Sequence, residues 1–198
     1  MTALDARAPL VFDTRTLRRR AGVMEEFAST VLLSQDFGTE VMAVQAGESI
    51  DLDLRLESVL EGVLASGQVV ATARGVCGRC LEPVEYVVDV PFQELYAYPD
   101  RVSHFQEVGD DEDDQRVLEG DLLDLEPTVR DAVVLALPFQ PLCRPQCPGL
   151  CAQCGQRLAD DPDHTHDVID PRWAALTGLA SDEALPADDP SNTEEKKR

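Results

Sequence analysis

From residue 50 to 57 apolar and charged residues alternate: Ile50, Leu52, Leu54 and Leu56 are separated by Asp51, Asp53 and Arg55. Strand side chains point to opposite faces in turn, so this pattern predicts a strand with one buried face and one wet face. A second strand is predicted over 62–74. A third is predicted over 84–92, with Val84, Tyr86, Val88, Val90 and Phe92 on one face. Their short connections predict an antiparallel meander, and Pro91 favours a sheet edge. The period then changes. Leu125, Val129, Ala132, Val133 and Ala136 fall three and four apart, which predicts a helix over 121–137. Asp124 is its candidate N-cap, Pro127 is tolerable in a first turn, and Pro138 and Pro141 stop it. A shorter helical stretch is predicted near 171–179, where Trp173, Leu176 and Leu179 can share a face. The expected fold is α+β: an antiparallel sheet packed by one or two helices, a C-terminal zinc-binding segment and disordered termini.

Charge divides the chain further. Residues 1–24 carry Arg7, Arg15, Arg18, Arg19 and Arg20 against Asp5 and Asp13, and are expected to form a basic arm. Residues 25–180 are expected to form one domain. Within it, 100–119 reads as a mobile acidic loop: from Glu107 to Glu126 there are ten acids and one base, Arg116. His104, beside this loop, reads as a surface residue. Residues 181–198 are polar and expected to be a disordered tail. The whole chain of 198 residues has a net charge of −21, which argues against a protein that simply coats DNA. No apolar run approaches the roughly 18 residues of a membrane span, and the first residues do not resemble a secretory signal. A cytoplasmic protein with no membrane or small-molecule partner is expected.

The six cysteines carry the chemistry. Cys143, Cys147, Cys151 and Cys154 lie within one short run, too close together for packing alone to explain. Without an export signal such clustering reads as a metal site more readily than as disulfides. Zinc favours four ligands, and these four cysteines are the leading set. The Cys151-Ala-Gln-Cys154-Gly155 turn has the form of a zinc knuckle, in which Gly155 allows the left-handed closing conformation. Cys77, Cys80, His164 and His166 are additional candidate ligands. Eight such residues suffice for two tetrahedral sites, and the set Cys151, Cys154, His164 and His166 competes with the four-cysteine run. Cys77-Gly-Arg-Cys80 leads into a strand, so it fits a clamping turn better than a redox pair at a helix N-terminus. The Cys147–Cys154 spacing also matches a radical iron–sulfur motif, but too little chain follows for the barrel that chemistry needs.

No phosphate-binding loop, dinucleotide fingerprint or nucleophile elbow is present, so no enzymatic activity and no catalytic residue is expected. Three blocks make the chain similar to the YceD-like family of large ribosomal RNA subunit accumulation proteins. They are Cys77-Gly-Arg-Cys80-Leu-Glu-Pro83, then Leu118–Leu125 with Val134–Pro138, and finally the Cys143–Gly155 run with Ile169-Asp-Pro-Arg-Trp173 after it. Many members carry Cys-x-Cys where this chain has His164-x-His166. The resemblance implies a role in the synthesis, processing or stability of 23S ribosomal RNA during large-subunit assembly. It also suggests that the metal supports structure. The expected partners are 23S rRNA, large-subunit assembly intermediates, or a basic ribosomal protein held by the acidic surface of a zinc-containing adaptor. The expected RNA or partner contacts are Arg15, Arg18, Arg19, Arg20, Arg79, Arg144 and Arg157, since arginine pairs bidentately with phosphate.

Overall fold

A computed structural model describes residues 4–101 and 115–166, together with Arg172. Two compact units separate at Leu150 and Cys151. The boundary falls inside the cysteine-rich segment.

The first unit is built on antiparallel strands: β1 Val11–Asp13, β2 Met24–Leu32, β3 Phe37–Gly38, β4 Met42–Val44, β5 Ser49–Ser58, β6 Gly62–Val76, β7 Pro83–Ala97 and β8 Leu122–Asp124. Six of them form one sheet in the order β2-β5-β6-β4-β3, with β7 on the other side of β6. The expected meander is present as β5, β6 and β7. The second and third strands run longer than predicted, pairing without interruption from Gly62↔Ala97 to Val76↔Pro83. Pro91 sits in β7, which pairs only with β6 in this sheet, as an edge position requires.

The alternation in β5 sets the layers. Ile50, Leu52, Leu54 and Leu56 are buried, and Asp51, Asp53 and Arg55 are exposed. The buried face continues through Val63, Ala65, Val69, Ala71 and Ala73 of β6 and Val88, Phe92 and Tyr96 of β7. Tyr86, expected on the same face, is 42% exposed where the hairpin approaches its tip. A single α-helix among the described residues, α1 Glu126–Ala136, covers this face against β7 and β3 with Val129 and Val133. Burying this aliphatic face is the main favourable term for the fold.

Two predicted boundaries change for one reason. Leu122–Asp124 pairs with Val11–Asp13 and so cannot join the helix. The helix begins at Glu126, and Asp124 assists from outside it by accepting the Glu126 N–H at 3.1 Å. The helix stops because Leu137 precedes Pro138 and is extended. The same pairing anchors the supposed basic arm. Leu10 and Leu17 are buried and Thr14 N–H donates to the Asp121 carbonyl, so residues 10–17 belong to the body. Part of the acidic loop is likewise folded. Val117 bridges to Ala97 and Leu118 is buried, whereas 102–114, with His104, lies outside the described residues. The predicted 171–179 helix and the 181–198 tail also fall outside them, apart from Arg172.

Tyr96 ties β7 to the helix entrance. Its hydroxyl donates to the Asp124 carbonyl at 3.0 Å and shares a 2.6 Å hydrogen bond with Thr128. Burial pushes the phenol up from 10.0 to about 12. The native state thus prefers the neutral phenol. The stability this confers is complete below the unfolded value and is lost as pH rises through about 10 to 12. Tyr96→Phe should cost about 1 kcal/mol at neutral pH and flatten the loss of stability between these pH values. Denaturant titrations across that range test it. An unchanged alkaline slope in the variant would contradict the assignment.

Candidate metal centres

The turn joining β6 to β7 is Cys77-Gly-Arg-Cys80-Leu-Glu82. Cys77 N–H donates to the Glu82 carbonyl at 2.7 Å, and Leu81 N–H donates back to the Cys77 carbonyl at 3.0 Å. The turn closes through Leu81 in the left-handed region, at φ 63°. Its two cysteines are buried, at 0% and 5% exposure. After the helix, Pro138 and Pro141 turn the chain back to this hairpin tip. There Gly78 N–H donates to the Pro141 carbonyl at 2.8 Å, and Arg79 Nη1 donates to the Cys147 carbonyl at 3.0 Å. These hydrogen bonds deliver Cys143 and Cys147 to the first pair.

The resulting sulfurs all lie within 4.8 Å of one another and could hold a metal ion. Cys77 and Cys147 are 3.8 Å apart, and Cys80 and Cys143 are 3.6 Å apart. A disulfide would need about 2.05 Å. Sulfurs about 2.3 Å from a central zinc sit about 3.8 Å apart at tetrahedral corners, so this spacing fits an ion. Val84, Leu142 and Leu150 pack around the group.

Electrostatics point the same way. Burial pushes the Cys77 thiol up, but N–H groups of Cys143, Arg79 and Cys80 outweigh it and bring it down to about 6. The Glu82 N–H favours the Cys80 thiolate, yet burial and the sulfurs of Cys77, Cys147 and Cys143 push that thiol up to about 12. Burial also raises Cys143, the neighbouring Cys147 and Cys77 adding to it. The protein favours one thiolate and opposes the next, a conflict that a divalent cation removes.

The second unit repeats the turn. Cys151 N–H donates to the Gln156 carbonyl at 2.7 Å, and Gly155 N–H donates to the Cys151 carbonyl at 2.9 Å, with Gly155 at φ 75°. N–H groups of Cys154 and Gln153 prevail over burial and bring the Cys151 thiol down to about 6. Cys151, Cys154, His164 and His166 form the second group that could hold a metal ion. Cys154 Sγ is 3.1 Å from His164 Nε2 and 3.3 Å from His166 Nε2, and the two Nε2 atoms are 2.8 Å apart. These are slightly shorter than the roughly 3.3–3.6 Å expected between tetrahedral zinc donors. Asp161 Oδ2 lies 3.8 Å from His164 Nδ1, on the ring's far side and beyond hydrogen-bond reach.

The run Cys143, Cys147, Cys151 and Cys154 is therefore not one quartet. Its first half gathers with Cys77 and Cys80 and its second half with the histidines. The physical reason is that each Cys-x-x-Cys turn already directs two sulfurs inward and needs only one further pair. The duplicated turn is the signal in the sequence, hidden because Leu81 stands where Gly155 stands.

The expected RNA contacts are spread out. Arg15 pairs with Asp13, while Arg19 pairs with Asp100 at 3.1 Å and stacks 4.6 Å over the Tyr98 ring. Arg79 is committed to the Cys147 carbonyl, and Arg157 lies in the second unit, 3.9 Å from Asp160. Arg18, Arg20 and Arg144 are exposed and make no ion pair among the described residues. A concavity of about 500 Å³ lies on the open sheet face around Glu26, Asp53, Arg55, Ser66 and Gln68, and none of its lining residues is a cysteine or histidine.

A family model described as large ribosomal RNA subunit accumulation protein YceD matches residues 65–180, a stretch that includes all eight candidate ligands. The chain belongs to the YceD family. An uncharacterized protein of Mycobacterium tuberculosis is 46% identical over 177 residues, covering 89% of this chain and 84% of that relative. One from Mycobacterium leprae is 42% identical over 172 residues, 87% of this chain and 78% of its own. YlbN of Bacillus subtilis is 31% identical over 106 residues, 52% of this chain and 58% of its own. No solved structure matches.

In this YceD protein the left-handed Leu81, 61% exposed, carries a backbone cost without a compensating burial. Leu81→Gly should stabilise the first unit by about 0.5–1 kcal/mol, and Gly155→Ala should destabilise the second turn by about 1 kcal/mol. Thermal and denaturant unfolding measure the first change. Destabilisation by Leu81→Gly would refute the strain assignment.

Proposed function

We propose that this YceD protein is a non-enzymatic ribosome-biogenesis factor supporting 23S rRNA synthesis, processing or stability and large-subunit assembly in the cytoplasm. The observation carrying this reading is family membership over a stretch that contains both candidate metal centres. Zinc is the ion we assign to them, because two groups of four thiolate and imidazole donors suit it, the four-sulfur group at tetrahedral spacing, and no oxygen ligand is needed. A centre with four protein ligands leaves no open position for water, so its role is structural. It holds the hairpin tip against the segment that follows the helix. The protein then works by docking to 23S rRNA or an assembly intermediate.

A second reading draws support from charge. Beside the net −21, the open sheet face sets Asp51 in register with Val70 and Asp89 beyond it, and Asp53 with Gln68. Several arginines are already neutralised, including Arg74 by Glu48 and Glu85 and Arg116 by Asp131. In this reading the docking partner is a basic ribosomal protein, and the chain is a zinc-containing adaptor.

Complete depletion should lower 23S relative to 16S rRNA and reduce mature large subunits; a normal ratio and a normal large-subunit peak would defeat the ribosomal reading. Arg18→Ala with Arg20→Ala and Arg144→Ala tests direct RNA binding while sparing the stacked Arg19. For each arginine that neutralises a phosphate, its removal should lower the log–log salt slope by about 0.7–0.9. Asp51→Lys with Asp53→Lys and Asp89→Lys should instead abolish binding if the partner is a basic protein.

A further inference from the structure

The two candidate centres differ in what surrounds them. In the first, Cys77, Cys80 and Cys147 are at most 5% exposed and only Cys143 is exposed, and the ligands come from a hairpin tip and a segment more than sixty residues away. The sheet that carries this hairpin has its own aliphatic core. In the second, Cys154 and His166 are exposed, and all four ligands come from one short stretch, 151–166. That stretch contains no helix, no named strand and no buried residue. Its order rests on turns such as Cys151–Gln156 and on the convergence of four donors. Side-chain burial cannot fold such a segment, so ligand binding must supply the folding free energy.

We propose that each chain binds two zinc ions of unequal permanence: a shielded ion held by Cys77, Cys80, Cys143 and Cys147, and an exchangeable ion held by Cys151, Cys154, His164 and His166. The ligand sets share no residue, so the second ion can leave without removing a ligand from the first. Exchange with a chelator proceeds through attack on the bound ion, which a set with three buried ligands hinders and a set with none admits. Loss of the exchangeable ion releases 151–166 from its fold and leaves the sheet intact. The second unit is thereby a zinc-responsive element on a permanently folded body. This assignment rests on geometry and burial, and it stands whether or not the ribosomal reading does.

The test uses the full-length protein. Native mass spectrometry should show two zinc ions per chain. A chromophoric chelator, 4-(2-pyridylazo)resorcinol, should remove one equivalent at least tenfold faster than the other. His164→Ala with His166→Ala should abolish the fast equivalent alone and preserve the β-sheet circular dichroism. His166→Cys should keep two ions, and its cobalt-substituted form should gain thiolate charge-transfer intensity over the wild type. Amide exchange should rise across 151–166, and not across 62–97, when the fast equivalent leaves. One zinc per chain, release of both ions in a single phase, or retention of two ions by the double histidine variant would each overturn the proposal.

Discussion

Four sulfurs within 4.8 Å of one another, three of them shielded from water, set the constraint on which the end of the first unit depends. Thiols brought that close cannot all ionise unaided, and left protonated they are weak hydrogen-bonding groups with little to hold two chain segments together. The backbone nevertheless aims N–H groups at Cys77 and pulls its thiol into the range of a thiolate. The fold thus gathers at one point a donor set that could hold a metal ion. The tip of β6 and β7 on one side and the chain after α1 on the other meet there.

Sequence periodicity builds the scaffold that makes the arrangement possible. The two-residue alternation of β5 and β6 lays down a buried face, and β7 extends it. The long register from Gly62↔Ala97 to Val76↔Pro83 carries the Cys77–Cys80 turn to the end of the hairpin. Helix α1 covers the buried face, and Pro138 ends it where the chain must return. The second unit uses the same turn without the scaffold. It shows how much of the first centre belongs to the turn itself: the N–H pattern and the left-handed closing residue recur, whereas the hydrophobic shell does not.

The strands and the helix are legible in the sequence because burial on one face leaves a direct trace in the order of residues. Ile50 to Leu56 alternate whatever else the chain does. The helix start is not legible, because Leu122–Asp124 has apolar residues compatible with either element, and only pairing with distant Val11–Asp13 decides between them. The anchoring of Leu10 and Leu17 is hidden for the same reason. For the metal centres, the candidate ligands can be read from their type and clustering, but their partition cannot. Proximity along the chain favours Cys143 to Cys154 as one set. The fold brings Cys77 and Cys80 in from a hairpin whose cysteines are far away in sequence and adjacent in space. The arginines of the expected RNA surface show a similar limit, since sequence cannot tell a free guanidinium from one committed to Asp13, Asp100 or the Cys147 carbonyl.

Membership of the YceD family connects this architecture to large-subunit ribosomal RNA, and the proposed ions connect the cysteines to the architecture. The central physical claim is that the six cysteines and two histidines serve as two separate tetrahedral donor sets. Zinc-edge X-ray absorption on the intact protein as purified reads this directly. The account predicts an average shell of three sulfurs and one imidazole nitrogen per ion, with sulfur near 2.3 Å, because a four-sulfur site and a two-sulfur, two-nitrogen site are averaged. A shell of four sulfurs alone, or one dominated by oxygen, would contradict it.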